Sequence, residues 1–177
     1  MNILHISPYV PSVHASHAGG VCMGKELEAL RKKHNVFVLS FINDEKEEKL
    51  VEKEFINDNK SFFVYSNTYT KGLNALAHLN KPVFFGIRSS RKFKKLLLNI
   101  VRENSIDVIH AEYTAMGQFV WIKKYFPNIK FNLVEHDVTK QSYDRYCMGS
   151  SGIKHVYQKW QSNLVNKNEE DYLLSLI

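Results

Sequence analysis

Four groups of residues have types and spacings that can do chemistry. The first is Gly19-Gly20, which closes a loop running from Pro8 and opens a segment starting at Val21. Glycines allow close backbone approach, and a helix N-terminus offers unpaired N–H groups at a positive dipole end, so this loop suits a phosphate. The second is Glu135-His136-Asp137 at the end of an apolar run. There His136 can orient a hydroxyl or stabilise charge, with Asp137 tuning its protonation. A lone histidine in that place can equally be a structural residue bonded to backbone, and both roles stay open. The third group is His14 and His17 in the first loop, which would converge with His136 on one edge. With Asp137 they can clasp a metal in principle, but no helical histidine motif accompanies them and no metal is expected. The fourth is Arg88, Arg91, Lys92, Lys94 and Lys95, set between Lys81 and Arg102 with no acidic residue among them. These cations are either a solvated face or a contact with an anionic membrane surface. His5 and His110 lie inside apolar runs and read as core or near-core residues.

The elements that would hold these residues alternate between two periodicities. Ile3, Leu4 and Ile6 form a first strand that stops at Pro8 and Pro11. Met23, Leu27 and Leu30 follow at i, i+4 and i+7, the spacing of an amphipathic helix. Val36 to Ile42 is a continuous β-branched and aromatic run, as in a strand covered on both faces. Glu45 to Glu54 reads as a solvated helix, Ser61 to Ser66 as a short strand, and Thr68 to Lys81 as weakly helical. Ser89 or Ser90 can cap a helix whose Phe93, Leu96, Leu97, Ile100 and Val101 share one face. Asp107 to Tyr113 supplies another strand, Met116 to Tyr125 a helix stopped by Pro127, and Phe131 to Val134 a further strand. Ser151 to Glu170 reads as helical, and Tyr172 to Ile177 as the start of one more strand. This alternation predicts a Rossmann-like α/β fold: a doubly wound, mostly parallel sheet with helices on both faces. Such sheets bind ligands at the carboxyl ends of their strands.

Bulk properties bound the function. A chain of 177 residues with 44% hydrophobic residues can bury one sizeable core, so residues 1–177 are expected to form one domain. The formal charge of +6 favours an anionic partner. Cys22 and Cys147 stand far apart and outside any Cys-x-x-Cys pair, which argues for free thiols. No span-length apolar run or signal-type start is present, and a cytoplasmic protein is expected. The dinucleotide fingerprint Gly-x-Gly-x-x-Gly is missing, which counts against an NAD enzyme, and no nucleic-acid motif accompanies the basic segment.

Taken in order, NILHISPYVP, the loop closing on Gly19-Gly20, DVIHAEY and VEHD resemble the N-terminal domain of family 4 GT-B glycosyltransferases over nearly the whole chain. The resemblance implies that the chain is the acceptor-side half of an enzyme moving a sugar, with retention, from a nucleotide sugar to a saccharide or lipid-linked acceptor. It implies that Gly19 and Gly20 contact the donor phosphate and that His136, with Asp137, stands near the reacting sugar. His17, Glu112 and Tyr113 would touch the acceptor, with peripheral contact at an anionic membrane. No cofactor or metal is implied, and no nucleic-acid partner. The family's paired glutamates belong to a second, donor-binding domain that this chain does not contain, so the fragment alone is expected to be inactive. A sugar-nucleotide epimerase of similar fold and a non-catalytic α/β binding module are the alternatives.

Overall fold

The computed structural model describes residues 1–135 and 139–176. His136 and Asp137 therefore lie outside the described residues.

Strands β1 (Asn2–Ser7), β2 (Asn35–Ile42), β3 (Ser61–Tyr65), β4 (Val108–Glu112) and β5 (Lys130–Val134) form one sheet in the order β3-β2-β1-β4-β5. Every pairing is parallel. The fold is thus the expected Rossmann-like α/β arrangement. Parallel neighbours need crossovers, and helices α1 (Ala18–Arg31), α2 (Glu45–Glu54), α3 (Thr68–Ala77), α4 (Val83–Gly86) and α5 (Arg91–Asn104) lie between the first four strands. Helices α6 (Thr139–Met148) and α7 (Gly152–Leu176) follow β5. Chain direction across the sheet reverses between β1 and β4, which opens a crevice there at the carboxyl edge.

Local chemistry fixes the helix starts. The Asp44 side chain accepts the Glu47 N–H, and Glu45, Glu47 and Glu48 place negative charge at the positive end of α2. Ser90 accepts the Phe93 N–H at the start of α5, whose Phe93, Leu97, Ile100 and Val101 are buried as their spacing predicts. At α1 the cap is His17, whose Nδ1 accepts the Gly20 N–H at 3.0 Å.

The apolar interior has two parts, one on each face of the sheet. The larger gathers Leu4, Ile6, Leu39, Phe41, Phe93, Ile109 and Phe119 with the α4 and α5 side. Within it Phe93 stacks on Phe41 at 4.5 Å and on Phe119 at 4.7 Å between ring centres. The smaller gathers Ile3, Val10, Leu27, Val36, Val38 and Phe55 under α1 and α2.

Two expected elements differ. Thr114–Lys124 is a 3₁₀ helix. Its fully buried Met116, Phe119 and Ile122 recur every three residues, and three residues per turn keeps them on one edge. The segment from Tyr172 is the end of α7 and forms no strand. Tyr172 is buried there, stacked on Phe85 at 5.6 Å, and burial raises its phenol above the ordinary range.

Candidate functional site

The crevice between β1 and β4 gathers polar residues from four separate stretches of chain. Tyr9 follows β1, His17 caps α1, Arg88 lies between α4 and α5, and Tyr113 follows β4. Three of these surround the Tyr9 ring. The His17 ring meets it edge-on at 4.7 Å, the Tyr113 ring edge-on at 5.8 Å, and the Arg88 guanidinium carbon stands 5.3 Å from its centre. Pro8, Tyr9, Phe84, Arg88, Tyr113 and Ala115 line a cavity of about 110 Å³.

Arg88 has a fractional exposure of 8%. One of its terminal nitrogens donates to the Phe84 carbonyl at 3.0 Å, whereas its buried Nε has no hydrogen-bond partner. Burial lowers the guanidinium pKa from its ordinary value, with Tyr9 and Glu47 acting against that shift. His17 Nδ1 is taken by the Gly20 N–H, so the neutral ring carries its proton on Nε2. That Nε2 is buried without a hydrogen-bond partner, 3.7 Å from a Glu47 oxygen. The Glu47 carboxylate is itself engaged by the Val10 N–H at 3.3 Å and by Asn43 through its N–H at 2.6 Å and its side-chain amide at 3.0 Å.

Tyr113 has φ +69° and ψ 143°, a backbone state unfavourable for a residue with a side chain. Such strain costs about 1–3 kcal/mol and persists where the surroundings enforce it. It carries the chain sharply out of β4, and the Tyr113 hydroxyl comes to rest against Gly19. A methyl group on Gly19 would overlap that hydroxyl, and one on Gly20 would overlap Ala15. The glycine pair therefore serves close packing of the loop on α1 as well as the helix start.

Beneath the crevice, on the α1 face of the sheet, is a second polar group. His5 and His110 are register partners on β1 and β4, their rings stacked at 5.6 Å. A Glu112 oxygen lies 3.2 Å from His5 Nε2 and 3.0 Å from His110 Nε2. Glu26 of α1 brings an oxygen to 3.0 Å from the same His110 nitrogen. Burial lowers the His5 pKa, although Glu112 pulls the other way. Burial also works against a charge on His110, but Glu112 and Glu26 outweigh it and raise its pKa.

The expected site residues are thus only partly brought together. His17, Gly19, Gly20 and Tyr113 meet at the crevice, and Glu112 lies just below it. Arg88 belongs to this group and not to the membrane-facing cations expected from sequence, because it is buried. Arg91, Lys92 and Lys95 are exposed along α5, with Lys94 partly covered. His14 is exposed. Tyr9, Glu26, Glu47, His5 and His110 were not singled out by sequence as site residues. A signal was available for the last two: His5 in NILHIS, and His110 with Glu112 at i, i+2 in VIHAE, place polar groups on one face of strands whose centres are otherwise apolar.

No protein-family model matches the chain, and no curated protein matches it. Among solved structures, the N-terminal domain of trehalose-6-phosphate phosphatase from Candida albicans is similar, at 14% identity and a TM-score of 0.48. The match covers 92% of this chain, which spans 38% of the length of that one. These findings correct the glycosyltransferase resemblance: no family model upholds it, and the similar structure named here is a phosphatase domain. GT-B membership, sugar transfer from a nucleotide sugar and the hexosyltransferase class are set aside. A likeness of this size transfers no activity from the phosphatase domain either. The expectation that no metal is involved is corrected as well, since ligand atoms of His5, His110 and Glu112 all lie within 4.8 Å of one another. Among the described residues, no helix is long and apolar enough to cross a membrane.

Proposed function

We propose that this chain binds a small molecule bearing a phosphate or carboxylate group, held at the carboxyl edge of the sheet in the crevice between β1 and β4. The observation that carries this reading is the Nε of Arg88, a buried donor on a cationic group with no acceptor of its own, on the wall of a cavity. A buried charge without full pairing is costly, and an anionic ligand supplies the missing acceptor. The surroundings fit. His17 Nε2–H, 3.7 Å from a Glu47 oxygen, is a second donor without a hydrogen-bond partner against the same Tyr9 ring, and the start of α1 adds the positive end of its dipole. The Tyr9 and Tyr113 rings give the non-ionic part of the ligand an aromatic wall.

Titration of inorganic phosphate, pyrophosphate and citrate into the full chain, followed by calorimetry and by amide shifts, tests the reading. Saturable binding that perturbs Gly19, Gly20 and Tyr113 is expected. Arg88→Gln should weaken it by about 1.5–3 kcal/mol, the worth of a hydrogen bond to a charged group. Arg88→Lys, which keeps the charge without the planar fork, should fall between the two. Absence of saturable binding by all three anions, or equal affinity in a folded Arg88→Gln variant, overturns the proposal.

A further inference from the structure

We infer that β1, β4 and α1 together build a binding site for one divalent transition-metal ion, with zinc the best fit to the donors. The ligands are His5 Nε2, His110 Nε2 and a Glu112 oxygen, whose atoms all lie within 4.8 Å of one another, and the Glu26 carboxylate stands beside them, 3.0 Å from His110 Nε2.

Three observations carry this. The first is spacing. In a tetrahedral zinc site with nitrogen and oxygen ligands, neighbouring ligand atoms stand about 3.3 Å apart. Here Glu112 Oε1 lies 3.2 Å from His5 Nε2 and 3.0 Å from His110 Nε2, and Glu26 Oε1 lies 3.0 Å from His110 Nε2. Small outward movements of side chains would admit an ion without disturbing the strands. The donor types, two imidazoles and carboxylates, suit zinc and its first-row neighbours and not calcium or magnesium.

The second is charge. Two carboxylates, Glu26 and Glu112, face two imidazoles, and Glu112 is fully buried. Two neutral imidazoles, two carboxylates and a divalent cation sum to zero.

The third is the arrangement of hydrogen bonds. His110 Nε2 faces oxygens of both Glu112 and Glu26, each at 3.0 Å, yet an imidazole nitrogen carries one hydrogen. An ion in place of that hydrogen serves both carboxylates at once. His5 Nδ1 is buried with no hydrogen-bond partner. Coordination through Nε2 puts the ring proton on Nδ1, so the number of orphaned ring nitrogens is unchanged. His110 and Glu26, with side-chain exposures of 12% and 34%, form the side through which an ion reaches the fully buried pair.

The test uses the untagged full chain, stripped with a chelator and titrated with Co²⁺. One equivalent should bind, with the intense visible bands of tetrahedral cobalt, and Zn²⁺ should displace it. His110→Gln should weaken Co²⁺ binding at least about tenfold and abolish the bands. Glu26→Gln, at the partly exposed position, should change the bands while leaving the metal-free fold intact by circular dichroism. Arg88→Gln should bind Co²⁺ like the wild type, which separates this site from the anion crevice. Failure to bind near one equivalent of Co²⁺, octahedral bands alone, or unchanged bands and affinity in both His110→Gln and Glu26→Gln would overturn the inference.

Discussion

Lys81 shows how one half-buried cation couples this fold to pH. Its Nζ donates to Gln118 Oε1 at 3.0 Å and to Ser89 Oγ at 3.3 Å, and no carboxylate pairs with it among the described residues. Burial, helped by Lys94, lowers its pKa from 10.5 to about 8. The folded protein thus releases a proton that the unfolded chain still holds between pH 8 and 10.5, so this residue makes stability rise with pH across that window. Urea melts from pH 7.5 upward should show the wild type gaining on Lys81→Met over that window. A constant difference between the two proteins would refute the lowered pKa. An amine-selective acylating reagent at pH 8 should also label Lys81 ahead of the exposed lysines. At this scale the sequence was least informative. Lys81 stood at the end of a weakly helical stretch, and Arg88 was one of five cations whose spacing gave no hint that it alone turns inward. His5 and His110 looked apolar by context, because a one-dimensional reading does not show that β1 and β4 are neighbours.

Individual elements respond to substitution according to what faces them. Gly72 in α3 has open space where a side chain would begin, so Gly72→Ala should stabilise the protein by about 0.5–1 kcal/mol through helix propensity. Gly24 in α1 is the opposite case, since a methyl group there would overlap the Ser12 and Val13 backbone. Gly24→Ala should cost about 1–3 kcal/mol and displace the loop that carries Tyr9 and His17. Thermal or denaturant melts of the two variants, which differ in sign, check this directly. Phe93 holds α5 to the sheet between Phe41 and Phe119, and Phe93→Ala should cost about 3–5 kcal/mol. A loss under 1 kcal/mol would mean that α5 does not depend on that stack. Helix α5 was legible because five apolar residues repeat at helical spacing beneath a serine cap. The 3₁₀ helix was not, since Met116 and Phe119 fit either period and only the buried Ile122 decides for three residues per turn. The end of α7 misled for a related reason: a short apolar run at Tyr172 suits a strand as well as a buried helix end.

For the molecule as a whole, fold class was readable and function was not, and the two outcomes share a cause. Alternation of apolar strands with amphipathic helices is a property of the entire chain, and it specifies a parallel sheet with its carboxyl edge as the ligand side. The same alternation is common to many unrelated activities, so a resemblance built on strand and loop order did not carry a reaction with it. The crevice depends on Tyr9, His17, Arg88 and Tyr113, which approach one another only after every crossover has formed. In the sheet, β1 lies at the centre with partners on both sides. Hydrogen exchange should therefore find its amides among the slowest of the chain, and those of edge strand β3 markedly faster. Placement of the N-terminal strand at the centre also gives synthesis an awkward timetable. β1 gains one neighbour as soon as Asn35–Ile42 emerges, but the backbone groups of its other flank must wait for Val108–Glu112. Through that interval a nascent chain carries half a sheet with a raw, adhesive margin, and a ribosome stalled midway would release a product prone to clump.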